Sequence, residues 1–134
     1  MTYKNGLIQT RHALDASKKK VELFKIEGAY LKKSVRKPDA HNITIMARSP
    51  FLPYYAGADW VILPYGEYQE IVEFSKNRHV DFLSMDKQAV PLHPQLSFLM
   101  NPHVNIPEME KYSWISSKEN PEELYLVLYV INRN

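Results

Sequence analysis

The stretch NITIMARSPFLPYYAGADWVILPYGEYQEIVEFSKNRHVDFLSMD, Asn42 to Asp86, decides the fold. It holds three short apolar runs: NITIMAR (42–48), WVIL (60–63) and VDFLSM (80–85). Each is short, rich in β-branched or large apolar residues, and closed by a breaker or a polar residue: Ser49-Pro50, Pro64-Tyr65-Gly66 and Asp86. Runs of this kind read as strands, the first of them buried. Between the first two, FLPYYAG (51–57) is aromatic, interrupted by Pro53 and ended by Gly57, which reads as a short helical turn or loop. Between the second and third, Glu67 to His79 reads as an amphipathic helix. Tyr68, Ile71, Val72, Phe74 and Ser75 form its inner face, and Glu67, Glu70, Glu73, Lys76 and Arg78 its outer one. Acidic residues lead and basic residues close it, as the helix dipole favours. Strands alternating with helices predict βαβ crossovers and a parallel sheet.

Upstream, Asp15 to Val35 is helical. Val21, Phe24, Gly28, Leu31 and Val35 recur at spacings that share one face, and lysines fill the other. Gly28 on the apolar face costs about 1 kcal/mol of helix propensity, which points to close approach of the helix to a sheet. Lys37-Pro38-Asp39 stops the helix. Residues 1–12 carry no clear periodicity, and 1–14 read as a flexible N-terminal segment. Downstream, Pro91 to Met100 holds a short helix opening near Pro94-Gln95, and 102–107 is loop. Tyr112–Ser116 and Leu124–Ile131 form a closing hairpin. The second of these is apolar on both faces, which predicts a central strand. The expected whole is a single α/β domain over 15–134: three layers, a mostly parallel, half-Rossmann-like sheet, and a C-terminal antiparallel hairpin.

Composition bounds the function. The 134 residues, 45% hydrophobic and 24% charged, suit one folded domain with its own core. The absence of cysteine removes disulfides, thiolate zinc sites and thiol nucleophiles. Only four glycines occur, with neither a G-x-G-x-x-G nor a P-loop pattern, and Ser49-Pro50 stands where a phosphate turn would need backbone donors. The five histidines, His12, His41, His79, His93 and His103, lack metal-ligand spacing. No G-x-S-x-G is present. No metal, cofactor or catalytic residue is therefore expected.

Net charge is +2, but it is unevenly spread. Residues 1–38 hold ten Lys/Arg against three Asp/Glu, a balance of +7; residues 39–134 hold seven against twelve, a balance of −5. Lys18, Lys19, Lys20, Lys25, Lys32 and Lys33 lie on or beside the first helix, as candidate contacts for anionic lipid headgroups or simply as a solvated face. Nucleic acid is disfavoured, because the aromatic residues fall in strands and turns away from this helix.

Ligands of parallel α/β sheets collect at the carboxyl ends of the strands. Arg48, Tyr54, Tyr55, Tyr65 and Asp86 fall at or near those ends. Aromatic faces with an Arg and an Asp suit a sugar. The plainer reading pairs Arg48 with Asp86 and uses the tyrosines to close the core.

These residues carry a resemblance. Arg48, Pro50, Tyr54, Tyr55, Ala56, Gly57, then Leu63, Pro64 and Tyr65, then Val80, Asp81, Phe82, Leu83 and Asp86 look like the extracytoplasmic C-terminal region of bacterial family 39-type glycosyltransferases. These are multi-spanning relatives of the dolichyl-phosphate-mannose–protein mannosyltransferases. His93, Pro94, Gln95, Leu96 and Leu99 resemble a later segment of the same region, with His in place of Arg. The resemblance covers about residues 20–131. It implies an α/β domain outside the cytoplasmic membrane, beside the transmembrane portion of a transferase that uses polyprenyl-phosphate sugars. It also implies no catalysis by this chain, because the family's catalytic acidic residues lie in loops between membrane spans. The expected function is that of an accessory domain contacting acceptor or sugar. The alternatives are a freestanding cytoplasmic small-ligand-binding protein or enzyme with a half-nucleotide-fold site, and a basic-helix module for anionic lipid or nucleic acid.

Overall fold

The computed structural model describes residues 3–4, 7–15, 20–35 and 43–132. A small antiparallel pair, β1 (Tyr3–Lys4) and β2 (Leu7–Ile8), precedes a six-stranded sheet. The sheet's strands are β3 (Thr10–Leu14), β4 (Thr44–Ala47), β5 (Asp59–Ile62), β6 (Phe82–Asp86), β7 (Met109–Ser117) and β8 (Leu124–Ile131). Their spatial order is β3-β7-β8-β6-β4-β5. Three pairings are parallel (β3 with β7, β4 with β5, β4 with β6), and β8 runs antiparallel to both β6 and β7. Five strands therefore point one way, and only β8 opposes them. The chain is α/β with a mostly parallel sheet and a closing antiparallel hairpin.

Two layers of helix cover the sheet. On one face lie α1 (Lys20–Ser34) and α2 (Phe51–Ala56), burying Phe24, Leu31, Leu52 and Ala56 against Ile45, Phe82, Ile115, Leu126 and Leu128. On the other lie α3 (Tyr68–Asn77) and a 3-10 helix (Pro94–Met100), burying Ile71, Val72, Leu96 and Leu99 against Met46, Leu83, Val127 and Tyr129. The two faces follow from handedness. β5 and β6 flank β4 on opposite sides, so right-handed crossovers from β4 to β5 and from β5 to β6 must use opposite faces. β8 is buried on both sides, as its two-faced apolar pattern requires.

Local chemistry fixes the helix ends. The Glu67 backbone N–H donates to the Glu70 carboxylate (2.9 Å), half of a capping box at the start of α3. Gly57 takes a left-handed conformation (φ 69°) and ends α2, with the Ala58 N–H closing on the Pro53 carbonyl at 2.8 Å.

Two expectations are corrected. Residues 10–14, expected within a flexible end, form the edge strand β3, with Thr10 to Leu14 in register with Ser113 to Ser117. Their side chains alternate, but only Leu14 is a fully buried apolar residue, too little apolar content to read as a strand alone. Gly28 approaches a helix rather than the sheet. A Cβ there would lie 2.6 Å from the Tyr55 Cβ and 2.9 Å from the Tyr55 carbonyl carbon, so the missing side chain lets α1 and α2 touch. The first helix begins at Lys20, and residues 16–19, within the expected helix, lie outside the described residues.

A polar seam runs beneath α1. Glu27 is fully buried and accepts a hydrogen bond from the Ser113 hydroxyl. The Tyr30 and Thr10 hydroxyls are bonded at 2.7 Å, and those of Tyr112 and Ser34 at 2.6 Å. The His12 ring packs edge-on to Tyr30, 4.8 Å between centroids. Burial raises the Glu27 carboxyl to about 7, only partly offset by Ser113, and lowers His12. No helix among the described residues is long and apolar enough to cross a membrane.

Candidate functional site

The carboxyl ends of β3, β4, β6 and β7 and the start of β8 share one edge of the sheet. Because β5 and β6 lie on either side of β4, the strand order reverses there. A crevice at such a switch point is where open α/β sheets take ligands. A groove of about 700 Å3 opens beside it, on the face carrying α1 and α2. Arg48 follows β4 and Asp86 ends β6, and both line this groove.

The two side chains form a fork. Arg48 Nε donates to Asp86 Oδ1 at 3.3 Å, and a terminal guanidinium nitrogen donates to Oδ2 at 3.2 Å. Asp86 Oδ1 also accepts the Ala89 backbone N–H at 2.8 Å, which locks the turn after β6. The carboxylate is nearly buried, with 10% of its side chain exposed; that of Arg48 is 23% exposed. A guanidinium has five N–H donors, and two serve Asp86, so the rest of the fork is available to a ligand oxygen. The pair thus presents a fixed, polar, charge-assisted contact point at the groove's wall.

Aromatic rings make the other walls. Phe24 of α1 stacks on Phe51 at the start of α2, with centroids 5.7 Å apart and planes at 27°. Tyr125 comes from β8 and is placed by a β-bulge. Ile115 pairs with Leu126 but Ser116 pairs with Leu124, leaving Tyr125 as the extra residue. In strict alternation Tyr125 would share the face of Val127. The bulge instead turns it to the face of Leu126 and into the groove. The Lys87 ammonium lies 5.4 Å from its ring centroid and pairs with Glu123 at 2.6 Å. Leu14, Asp15, Val21, Leu23 and Gln88 complete the rim.

Of the five residues singled out for a ligand, the structure brings Arg48 and Asp86 together and leaves three outside the groove. Tyr54 and Tyr55 lie a turn beyond Phe51 on α2. Tyr54 is exposed, and half-buried Tyr55 packs against α1 beside Gly28. Tyr65 follows β5 and stacks on buried His93, centroids 4.7 Å apart, a separate cluster that does not line the groove. The plainer reading therefore holds for the Arg48–Asp86 pair, while the groove beside it is concave and aromatic. Sequence reasoning missed Phe24, Phe51 and Tyr125. Only Phe51 carried a local signal, as the first helical residue after a strand end.

Of the lysines singled out, Lys25, Lys32 and Lys33 are exposed on α1, and Lys20 begins that helix. Lys25 lies 3.7 Å from Glu22 and 5.9 Å from the Tyr55 ring centroid. Lys18 and Lys19 lie outside the described residues. No family model, curated protein or solved structure matches this chain.

Proposed function

We propose that this chain is a non-catalytic, sugar-binding domain working beside a membrane glycosyltransferase that uses lipid-linked donors, on the extracytoplasmic side. One observation carries the binding role: a fixed Arg48–Asp86 fork at the switch point of the sheet, opening into a groove walled by Phe24, Phe51 and Tyr125. Sugars offer hydroxyls that both donate and accept, and C–H faces that lie flat on aromatic rings. A charged fork between aromatic walls meets both needs, and the groove's volume lies within the usual range for small-molecule sites. The resemblance of the Arg48–Asp86 stretch to the soluble region of family 39-type transferases supports the lipid-linked-sugar setting. The exposed Lys25, Lys32 and Lys33 are of the sign that an anionic leaflet attracts, at about 1 kcal/mol per residue near the surface.

Calorimetric titration of the whole chain with mannose, arabinose and a short polyprenyl-phosphate sugar tests this. A few hydrogen bonds and one stacking surface predict a dissociation constant on the order of 1 mM for the free sugars. Asp86→Asn keeps an acceptor for the Ala89 N–H but weakens the hold on Arg48. It is expected to stay folded and to lose sugar affinity about tenfold. Absence of heat with every sugar, or unchanged affinity in Asp86→Asn, would overturn the reading.

A further inference from the structure

A second cavity, about 440 Å3, lies on the opposite face of the sheet, near the start of β7. Val104, Ile106, Met109, Trp114 and Tyr129 supply its apolar and aromatic lining, Gln9 and Asn105 add polar groups, and Lys111 supplies a cation. Glu110 also borders the cavity, but it pairs with Val130 on the other face of the sheet, whereas Lys111 pairs with Tyr129 on this one. Lys111 is buried, at 8% exposure. Its ammonium donates to the Val104 carbonyl at 2.7 Å and sits 5.8 Å from the Tyr129 ring centroid. It makes no ion pair with any described residue, in contrast to Arg48, Lys25 and Lys87. Tyr129 cannot provide a counter-charge, because its hydroxyl donates to the Leu99 carbonyl and burial holds its ionisation above the ordinary range.

A buried cation with no counter-ion among the described residues is costly. A neutral carbonyl and a ring face offset only part of its lost hydration. An ammonium has three donors, and the Val104 carbonyl takes one. We infer that this cavity is a binding site for a small aromatic carboxylate, its anionic end on Lys111 and its ring against Trp114 and Met109. The apolar and aromatic part of the lining suits a flat hydrophobic body, and the one buried cation on this sheet face suits one negative charge. This site is distinct from the Arg48–Asp86 groove and does not depend on what that groove binds. Burial draws the Lys111 ammonium below its usual range, and a bound carboxylate would reverse that shift.

Benzoate, its neutral isostere benzamide, and inorganic phosphate are the probes, titrated against the whole chain labelled for amide NMR. Benzoate is expected to saturate with shifts at Val104, Lys111, Trp114 and Tyr129, and to bind at least tenfold more tightly than benzamide or phosphate. Lys111→Met removes the charge while keeping an apolar stem of similar length, and is expected to abolish the preference for benzoate over benzamide. Lys111→Arg should keep it. Equal affinity for benzoate and benzamide in the unaltered chain would overturn the proposal, and that comparison needs no variant. So would an absence of saturable shifts at these four residues, or a Lys111→Met protein that still prefers benzoate.

Discussion

Replacing Gly28 with alanine is expected to lower the unfolding free energy by about 2 kcal/mol, against the trend of helix propensity. On propensity alone the change should stabilise α1 by about 1 kcal/mol. Packing reverses the sign. The added methyl would meet the Tyr55 Cβ at 2.6 Å, the Tyr55 carbonyl carbon at 2.9 Å and the Ala56 nitrogen at 3.0 Å. Two of these are main-chain atoms of α2, which cannot swing aside as a flexible side-chain end would. Overpacking of a close contact costs roughly 1–3 kcal/mol, and a rigid helix backbone belongs at the upper end or beyond. Relief would come from parting α1 and α2, which would also part Phe24 from Phe51 and widen the groove. Urea denaturation of the two proteins measures the loss, and Gly28→Val should lose more. A Gly28→Ala protein as stable as the parent would mean that the two helices do not touch here.

The second large effect is electrostatic. Glu27 is wholly buried, with its carboxyl raised to about 7 from an ordinary value of 4.5. A group whose folded value is raised contributes stability that is full below its unfolded value and lost as pH climbs through its folded value. The loss therefore runs from about pH 4.5 to 7, at about 1.4 kcal/mol per pH unit, and totals about 3 kcal/mol. His12, on the facing strand, acts in the opposite sense. Its lowered value gives stability that is lost as pH falls below 6.5. The two partly cancel just below pH 6.5 in the parent protein, so the difference between parent and variant is the informative quantity. Glu27→Gln keeps an acceptor for the Ser113 hydroxyl and cannot ionise. Its new amide N–H groups are buried and cost on the order of 1 kcal/mol. The variant is expected to exceed the parent by about 2 kcal/mol at pH 8, with the gap closing at pH 5. Parallel stability profiles across this range would show that Glu27 is not buried as described.

Much of the architecture is written locally in the chain. The runs over β4 and β6 are short and apolar because those strands lie between covered layers, β5 is a largely exposed edge strand despite its apolar run, and α3 shows its buried face in Ile71, Val72 and Ser75. β8 declares its central place by having no polar face. Other features depend on partners distant in sequence. β3 is a strand because β7 lies alongside it, and Thr10, Arg11 and His12 do not announce that. Glu27 sits one turn beyond Phe24 on the apolar face of α1, where a carboxylate reads as solvated unless Ser113 across the interface is known. The groove shows the same division. Arg48 and Asp86 were legible because both stand at the carboxyl ends of strands in a parallel arrangement. Tyr125 was not, because a bulge set by pairing with β7 shifts it from one sheet face to the other.

The central claim is that the groove beside the Arg48–Asp86 fork receives a sugar. Amide chemical-shift mapping of the whole chain during titration with mannose, and then with a short polyprenyl-phosphate mannose, tests it most directly. The account predicts saturating shifts confined to Phe24, Arg48, Phe51, Asp86 to Gln88 and Tyr125, the residues that meet at the groove. Flat spectra at these positions, or shifts confined to Tyr54 and Tyr65 outside it, would contradict it.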